Sequence, residues 1–342
     1  MNKKALVIIE SPLQLINSNE YLKAHAVDYE VDYYLISSRE VNNLNQIKDT
    51  FSTLELCGNV KIISVQDINK SFITRLKFYK KVIHSARSNL KNKYDLVLVG
   101  HIASIYQAIM ANSTKGAHCI YLDDGTAAFH EHQVLKKKKI KSFSSIYKRI
   151  FPTLVGLNAN IKTNNDRISF FTMYRELMEN DHPYLEYKYN SFNYLKKEYT
   201  KKDIDANTVY FIGTPFYWNS ESYNKAEHIF EQVAVSYHDK KVVYFPHRYE
   251  SQEHKLIVKK HGWQIIEPGI PIELSLMKMS YLPVEFGMFT SSAYYTILKL
   301  IPNIQFRSFE ISNLKHIFNG HNTYKLYREY DKSENVKIIK LE

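Results

Sequence analysis

The hydrophobic positions of this chain fall into short unbroken runs, each ending abruptly in polar residues. Ala5-Leu-Val-Ile-Ile9 is the first, and it stops at Glu10-Ser-Pro. A run that is apolar throughout and polar at its exit predicts a parallel strand buried on both faces, delivering its polar residues to a loop at its carboxyl end. A helix over 12–24 should follow. Further strand-like runs occupy 33–36, 60–65, 96–99 and 119–122, with helical patterns over 70–90 and 102–111 between them. That alternation predicts a doubly wound α/β sheet.

The pattern lapses after Asp124. A basic stretch, Lys136-Lys-Lys-Lys139 with Lys141, Lys148 and Arg149, leads through Phe151-Pro152 into an asparagine-rich interval at 158–165. It reads as a connection between domains, with a strand over 168–173 near the junction. A second series then begins. Val209-Tyr-Phe-Ile212 runs into Gly213-Thr214-Pro215, a helix is expected over 223–238, and Val242-Val-Tyr-Phe245 runs into Pro246-His247; later strands are expected at 264–266, 284–286 and 303–306. The expected architecture is α/β with two Rossmann-like domains, residues 1–175 and 176–342, facing a central cleft, the arrangement called GT-B.

Composition agrees with two folded domains, since 342 residues at 44% hydrophobic content exceed what one compact domain usually holds. No run approaches the roughly 18 apolar residues of a membrane-spanning helix. The apolar run after Lys3-Lys4 ends at Glu10, too short for the core of a secretory signal, so a cytoplasmic location is expected. Cys57 and Cys119 suit a reducing compartment and read as inert thiols. A formal net charge of +11 points to an anionic partner: nucleic acid, a lipid headgroup layer or a charged substrate.

In an open α/β sheet, ligands sit beyond the carboxyl ends of the strands, so the residues that terminate each run carry the information. Three terminators are candidates. Tyr121-Leu-Asp123-Asp124-Gly125-Thr126 brings two carboxylates and a glycine to the sheet edge. Neighbouring side chains of an extended chain point opposite ways, so Asp123 and Asp124 should serve different purposes, one as base and the other as structural anchor. An ordinary helix-capping turn explains the same string equally well. Phe245-Pro246-His247-Arg248 presents an imidazole and a guanidinium suited to a phosphate, although a loop histidine is commonly a surface residue. Thr290-Ser291-Ser292 precedes a helix, where hydroxyls and N–H groups form an anion site or simply an N-cap.

The three terminators in this order resemble the motifs of two-domain bacterial sialyltransferases: an acidic pair with glycine, a His-Pro motif and a paired Ser/Thr motif. Within them the chain resembles the lipooligosaccharide sialyltransferases, glycosyltransferase family 52, through Leu13-Gln14, Asp123-Asp124-Gly125-Thr126, Gly213-Thr214-Pro215 and Pro246-His247. Two departures stand out. The family's Pro-His-Pro is Pro246-His247-Arg248 here, and the Gly-Ser-Pro-Asp of its neisserial branch is Gly213-Thr214-Pro215-Phe216, which lacks the carboxylate.

The resemblance implies an inverting, metal-independent transfer of sialic acid from CMP-sialic acid to a glycan hydroxyl. Asp124 or Asp123 would be the base, and His247 the acid or phosphate donor. Ser291, Ser292, Arg248 and the Gly213 turn would supply further donors, and Glu273 would hold the ribose unless it is an ordinary surface glutamate. An Asp of ordinary pKa, about 3.9, is a weak base at neutral pH, so this role requires burial. No cofactor or metal is expected. Asp203-Ile-Asp205 lies in a polar segment before a strand, and His130 and His132 read as surface loop. The expected partners are the CMP-sugar donor and a glycan or glycolipid acceptor. An anionic membrane held by the Lys136 to Arg149 stretch is weighed equally with a merely solvated helix, and a homodimer is left open. Another CMP-activated acidic sugar, a nonulosonate or Kdo, fits the same chemistry. The rival from another class is a nucleic-acid-binding protein using the 27 tyrosines, disfavoured because they lack an RNA-binding signature.

Overall fold

The computed structural model describes residues 3–38, 41–65, 68–137, 140–178, 182–199, 202–214, 220–247, 250–311, 327–328 and 330–341. The chain forms two compact units, residues 1–195 with 269–271, and residues 196–268 with 272–342.

In the first unit strands and helices alternate: β1 (Lys4–Ile9), α1 (Pro12–His25), β2 (Glu30–Ser37), α2 (Val41–Thr53), β3 (Asn59–Ser64), α3 (Phe72–Asn89), β4 (Leu96–Val99), α4 (Ile105–Asn112) and β5 (His118–Leu122). They continue through α5 (Ala127–Lys137), α6 (Ile146–Leu154), β6 (Ile168–Thr172), α7 (Arg175–Met178), β7 (Leu185–Tyr189) and α8 (Asn193–Lys196). The seven strands pair in parallel in the order β3-β2-β1-β4-β5-β6-β7. Ala5 to Ile9 are all fully buried, because helices cover both faces of the sheet. Alternate residues divide between two cores: Leu6, Ile8, Val97 and Val99 pack on one face, Val7, Ile9, Leu98 and Ile120 on the other.

The second unit repeats the scheme with β8 (Asp203–Ile212), α9 (Ser220–Val235), β9 (Lys241–Phe245), α10 (Gln252–Lys260), β10 (Gln264–Ile265), α11 (Ile272–Lys278), β11 (Tyr281–Met288), α12 (Ala293–Leu300), β12 (Gln305–Ile311) and β13 (Val336–Leu341). Its six parallel strands run β10-β9-β8-β11-β12-β13. In each sheet the winding reverses beside the first strand, between β1 and β4 and between β8 and β11. The loops leave in opposite directions there and open a crevice at the strand ends.

The expected boundary between residues 175 and 176 lies inside the first unit, because β7 and α8 extend the first sheet. β7 and β13 escape a search for apolar runs. Both are half-exposed edge strands, Leu-Glu-Tyr-Lys-Tyr and Val-Lys-Ile-Ile-Lys-Leu, interrupted by charge. Asp203 and Asp205 lie within β8 and not before it; Asp205 accepts hydrogen bonds from Asn207 N and Thr208 Oγ1. No helix among the described residues is long and apolar enough to cross a membrane.

The end of the first unit is pinned to α1 by a buried carboxylate. Glu20 accepts backbone hydrogen bonds from Tyr194 at 3.1 Å and Leu195 at 2.7 Å, and Asn17 of the same helix accepts one from Asn190 Nδ2. Glu20→Ala leaves two N–H donors without this acceptor. It should lower stability by about 1–3 kcal/mol, read as a lower midpoint in urea denaturation; an unchanged midpoint would contradict this role.

Candidate active site

The crevice of the first sheet gathers polar residues from the exits of β1, β4 and β5 and from α1, α4 and α5. Ser11 caps α1 with its hydroxyl, accepting from Gln14 N, and the same hydroxyl donates to Asp124 Oδ1 at 3.1 Å. Asp124 follows β5, and its Oδ2 lies 3.7 Å from Nδ1 of His101, which follows β4. On the other side of the ring, Nε2 of His101 meets Glu131 Oε1 of α5 at 2.6 Å. Glu10, at the exit of β1, accepts from Ser104 Oγ at 2.5 Å. Gln14 and Gln107 complete the floor, with Gln14 Oε1 accepting from Glu10 N and Gln107 Oε1 from His101 N.

The adjacent carboxylates diverge. Asp123 is buried, its Oδ2 accepts from Met173 N at 2.7 Å, and its carbonyl accepts from Asn17 Nδ2. Those bonds tie the exit of β5 to that of β6 and to α1. The side chain of Asp124 is 29% exposed and lies among the groups of the crevice. Gly125 takes φ 61, a left-handed turn in which a glycine carries no steric penalty, and so α5 can start within two residues of the strand exit.

Burial alone would lower the pKa of His101, but the hydrogen bond to Glu131 and the charges of Glu131, Asp124 and Glu10 outweigh it and lift the imidazole to about 9. Asp124 therefore has a cationic neighbour at neutral pH, and the burial expected of it as a base is not what the structure shows, its side chain being 29% exposed. Glu10 is pushed upward by burial, against the hydrogen bond from Ser104. A buried carboxyl with a raised pKa at a strand exit is a candidate proton donor or acceptor. Glu10, His101 and Glu131 were not among the sequence candidates. The first two sit where the rule that selected the others points, Glu10 directly after an apolar run and His101 one residue further on, after Gly100. Glu131 carries no local signal, since only the approach of α5 to β4 brings it to His101.

The second sheet assembles its own set. Gly213 and Thr214 follow β8, His247 follows β9, and Ser291 and Ser292 lie between β11 and α12. Thr214 Oγ1 donates to Thr290 O at 2.9 Å, joining the exits of β8 and β11. The His247 N–H donates to Glu250 Oε1 at 2.8 Å, and Glu250 Oε2 accepts from Tyr244 Oη at 2.9 Å. Desolvation raises the pKa of this fully buried carboxyl to about 8, against those hydrogen bonds. Gly213 is packed beneath the loop: a Cβ there would meet the Glu250 carboxylate and would lie 2.8 Å from both His247 N and Tyr244 Oη.

Ser291 is braced through its backbone, N–H donating to Tyr330 Oη at 3.1 Å while that hydroxyl donates to Ser291 O at 3.0 Å. Ser291 Oγ accepts from Ala293 N, and Ser292 precedes α12 without making a side-chain cap bond. Glu273 is buried in α11 and is not a surface glutamate. Its Oε1 accepts from Thr296 Oγ1 in the first turn of α12, and its carbonyl accepts from Tyr199 Oη. Pro215 and Arg248 lie outside the described residues. His132 is a buried residue of α5, packed on Phe170 and Tyr187, and burial pushes its pKa down to about 3. The surface-loop expectation is thereby corrected for both histidines, since His130 is an exposed residue of the same helix.

No protein-family profile matches this chain, and no curated protein matches it in sequence. Solved structures do. The GT-B domain of a sialyltransferase from Photobacterium damselae is 13% identical, with a TM-score of 0.52, covering 99% of this chain and 100% of that one. A 2,6-sialyltransferase from Photobacterium sp. JT-ISH-224, in complex with CMP and lactose, is 15% identical, with a TM-score of 0.52, covering 98% and 78%. The UDP-GlcNAc 2-epimerase of Methanocaldococcus jannaschii is 12% identical, with a TM-score of 0.54, covering 98% and 89%. At these identities the likeness concerns the fold, and with the two parallel sheets it establishes an α/β two-domain GT-B fold for this protein.

Proposed function

We propose that this protein is an inverting, metal-independent sialyltransferase, moving sialic acid from CMP-sialic acid to a galactoside hydroxyl of a bacterial surface glycan or glycolipid. The observation that carries the proposal is the divergence of the paired carboxylates. Asp123 is engaged in holding the sheet edge, while Asp124 stands part-exposed between Ser11 and His101 at the switch point of the first sheet. A solved structure of the same fold, a 2,6-sialyltransferase with CMP and lactose, supports a CMP-sugar donor and a sugar acceptor.

In this reading Asp124 removes the proton from the acceptor hydroxyl as the oxygen attacks the anomeric carbon, and the C–O bond to CMP breaks. The displacement is single, so the anomeric centre inverts. The leaving phosphate gains negative charge. His247, the hydroxyls of Ser291 and Ser292, and the N-terminus of α12 meet that charge as donors, which neutralise one phosphate without a metal. Ser11 and His101 fix the direction of the Asp124 carboxylate. Glu273, braced against α12, is the candidate for the ribose.

The direct test is CMP release from CMP-sialic acid with lactose as acceptor. Asp124→Ala should lower kcat about 10²–10⁴-fold, the range for loss of a general base. His247→Ala should cost about 10²–10³-fold, as expected for loss of a charge-stabilising donor, and EDTA should change nothing. Because an epimerase of UDP-GlcNAc shares the fold, that sugar nucleotide serves as control. Its conversion, with no turnover or binding of CMP-sialic acid, would overturn the proposal.

Gly213→Ala should weaken CMP binding and cost about 1–3 kcal/mol of stability through overpacking against the Glu250 and His247 loop; calorimetry with CMP reads the first effect and urea denaturation the second. Glu250 also gives stability a pH dependence. Its folded pKa of about 8 lies above the ordinary 4.5. The folded state therefore keeps a proton that the unfolded chain releases, and stability falls as pH rises between these values. In Glu250→Gln the decline of the unfolding midpoint across that window should be shallower than in the wild type.

A further inference from the structure

The net positive charge of this chain comes from two segments. Residues 68–94 and 132–165 contain eight Lys or Arg each and no Asp or Glu. Without those sixteen, thirty basic side chains remain against 35 acidic ones, so the rest of the chain is net negative and the whole +11 originates in these segments. The first contains α3, and the second runs from the end of α5 through α6, which carries Lys148 and Arg149; two side-chain contacts link α6 and the residue that follows it to α3. Phe151 packs edge-on against Tyr79 at 6.3 Å, and Arg87 donates to the carbonyl of Val155 at 3.4 Å. Both contacts advance in the same direction along the two segments.

The same helices expose large apolar side chains. Ile146, Ile150 and Leu154 recur at four-residue spacing along one stripe of α6, with Tyr147 beside them; Tyr147 is 85% exposed, Leu154 78% and Ile146 67%. Phe72 and Ile73 open α3 with exposures of 70% and 64%. The buried residues of α3, Phe78, Val82, Ile83 and Ala86, begin only after its first turn, which leaves that turn off the core. Apolar side chains clustered on a monomer surface and rimmed by a single sign of charge mark an interaction face.

We infer that α6 and the first turns of α3 form a membrane-docking face, seating Tyr147, Leu154 and Phe72 at the headgroup boundary of a bilayer while the surrounding lysines meet anionic headgroups. An interfacial helix has this composition: an apolar stripe with an aromatic residue, flanked by cations. A second copy of the chain would bring two cationic faces together, and a nucleic-acid backbone offers nothing to the apolar stripe. The inference stands independently of the transferase reading, because it concerns a surface that carries none of the proposed catalytic groups.

Sedimentation of the full chain with vesicles of phosphatidylcholine, with or without phosphatidylglycerol, tests this in the absence of any sugar nucleotide. The protein should pellet with the anionic vesicles and stay in solution with the zwitterionic ones. Lys77→Gln, Lys80→Gln and Lys148→Gln together should weaken binding roughly a hundredfold, about fivefold per lysine. Tyr147→Ser with Leu154→Ser should remove the part of binding that survives high salt, since screening abolishes only the electrostatic attraction. All five side chains are exposed, and circular dichroism checks that each variant remains folded. In Tyr147→Trp the added emission should shift to the blue on anionic vesicles. Absence of vesicle binding by the wild-type chain, or binding unaffected by both sets of substitutions, overturns the inference. Binding only to RNA or to an acidic protein does so as well.

Discussion

A parallel strand covered on both faces has no place for an unbonded polar side chain until it ends. That constraint organises both halves of this protein. In β1 every residue from Ala5 to Ile9 is buried, and in β8 the run Val209 to Ile212 is buried likewise. The first polar residues after them, Glu10 and Thr214, therefore stand at the sheet edge, where winding reverses and the loops separate. Chemistry is confined to the strand exits because the dry interior excludes it everywhere else along those strands.

The polar groups at these exits are held by one another. In the first unit Gln14 and Gln107, both buried, fix the backbone of Glu10 and His101, so the side chains of those two residues project from a braced loop. In the second unit Glu250 does the same for the backbone of His247. Buried polar groups of this kind are costly unless bonded, and their bonds restrict the loop to one conformation. A site built this way needs little reorganisation when charge develops on a substrate, the physical requirement for electrostatic stabilisation of a transition state.

Charge and apolar exposure are distributed by the same logic on a larger scale. The strand exits hold a few paired charges, whereas cations without acidic residues between them gather in residues 68–94 and 132–165, the segments that contain α3 and α6. Segregation of this kind lets one surface take an anionic headgroup layer without filling the crevice with cations.

The apolar runs and their polar terminators determined the α/β class, the two doubly wound halves, most of the strands, and the candidacy of Asp124, His247 and Ser291-Ser292, because burial on both faces writes an uninterrupted apolar run into the sequence. They did not determine which of Asp123 and Asp124 turns inward. Alternation says only that the two diverge, and the answer depends on Met173 N, which the β6 exit brings to Asp123 from fifty residues away. Edge strands β7 and β13 stayed hidden because one open face lets charge interrupt the pattern. His101, two residues past β4, was not picked out from the sequence, and its pKa could not have been. That depends on Glu131 and Asp124 converging on one imidazole, and Coulomb and hydrogen-bond energies fall off over a few ångströms that only the packed helices and strands set.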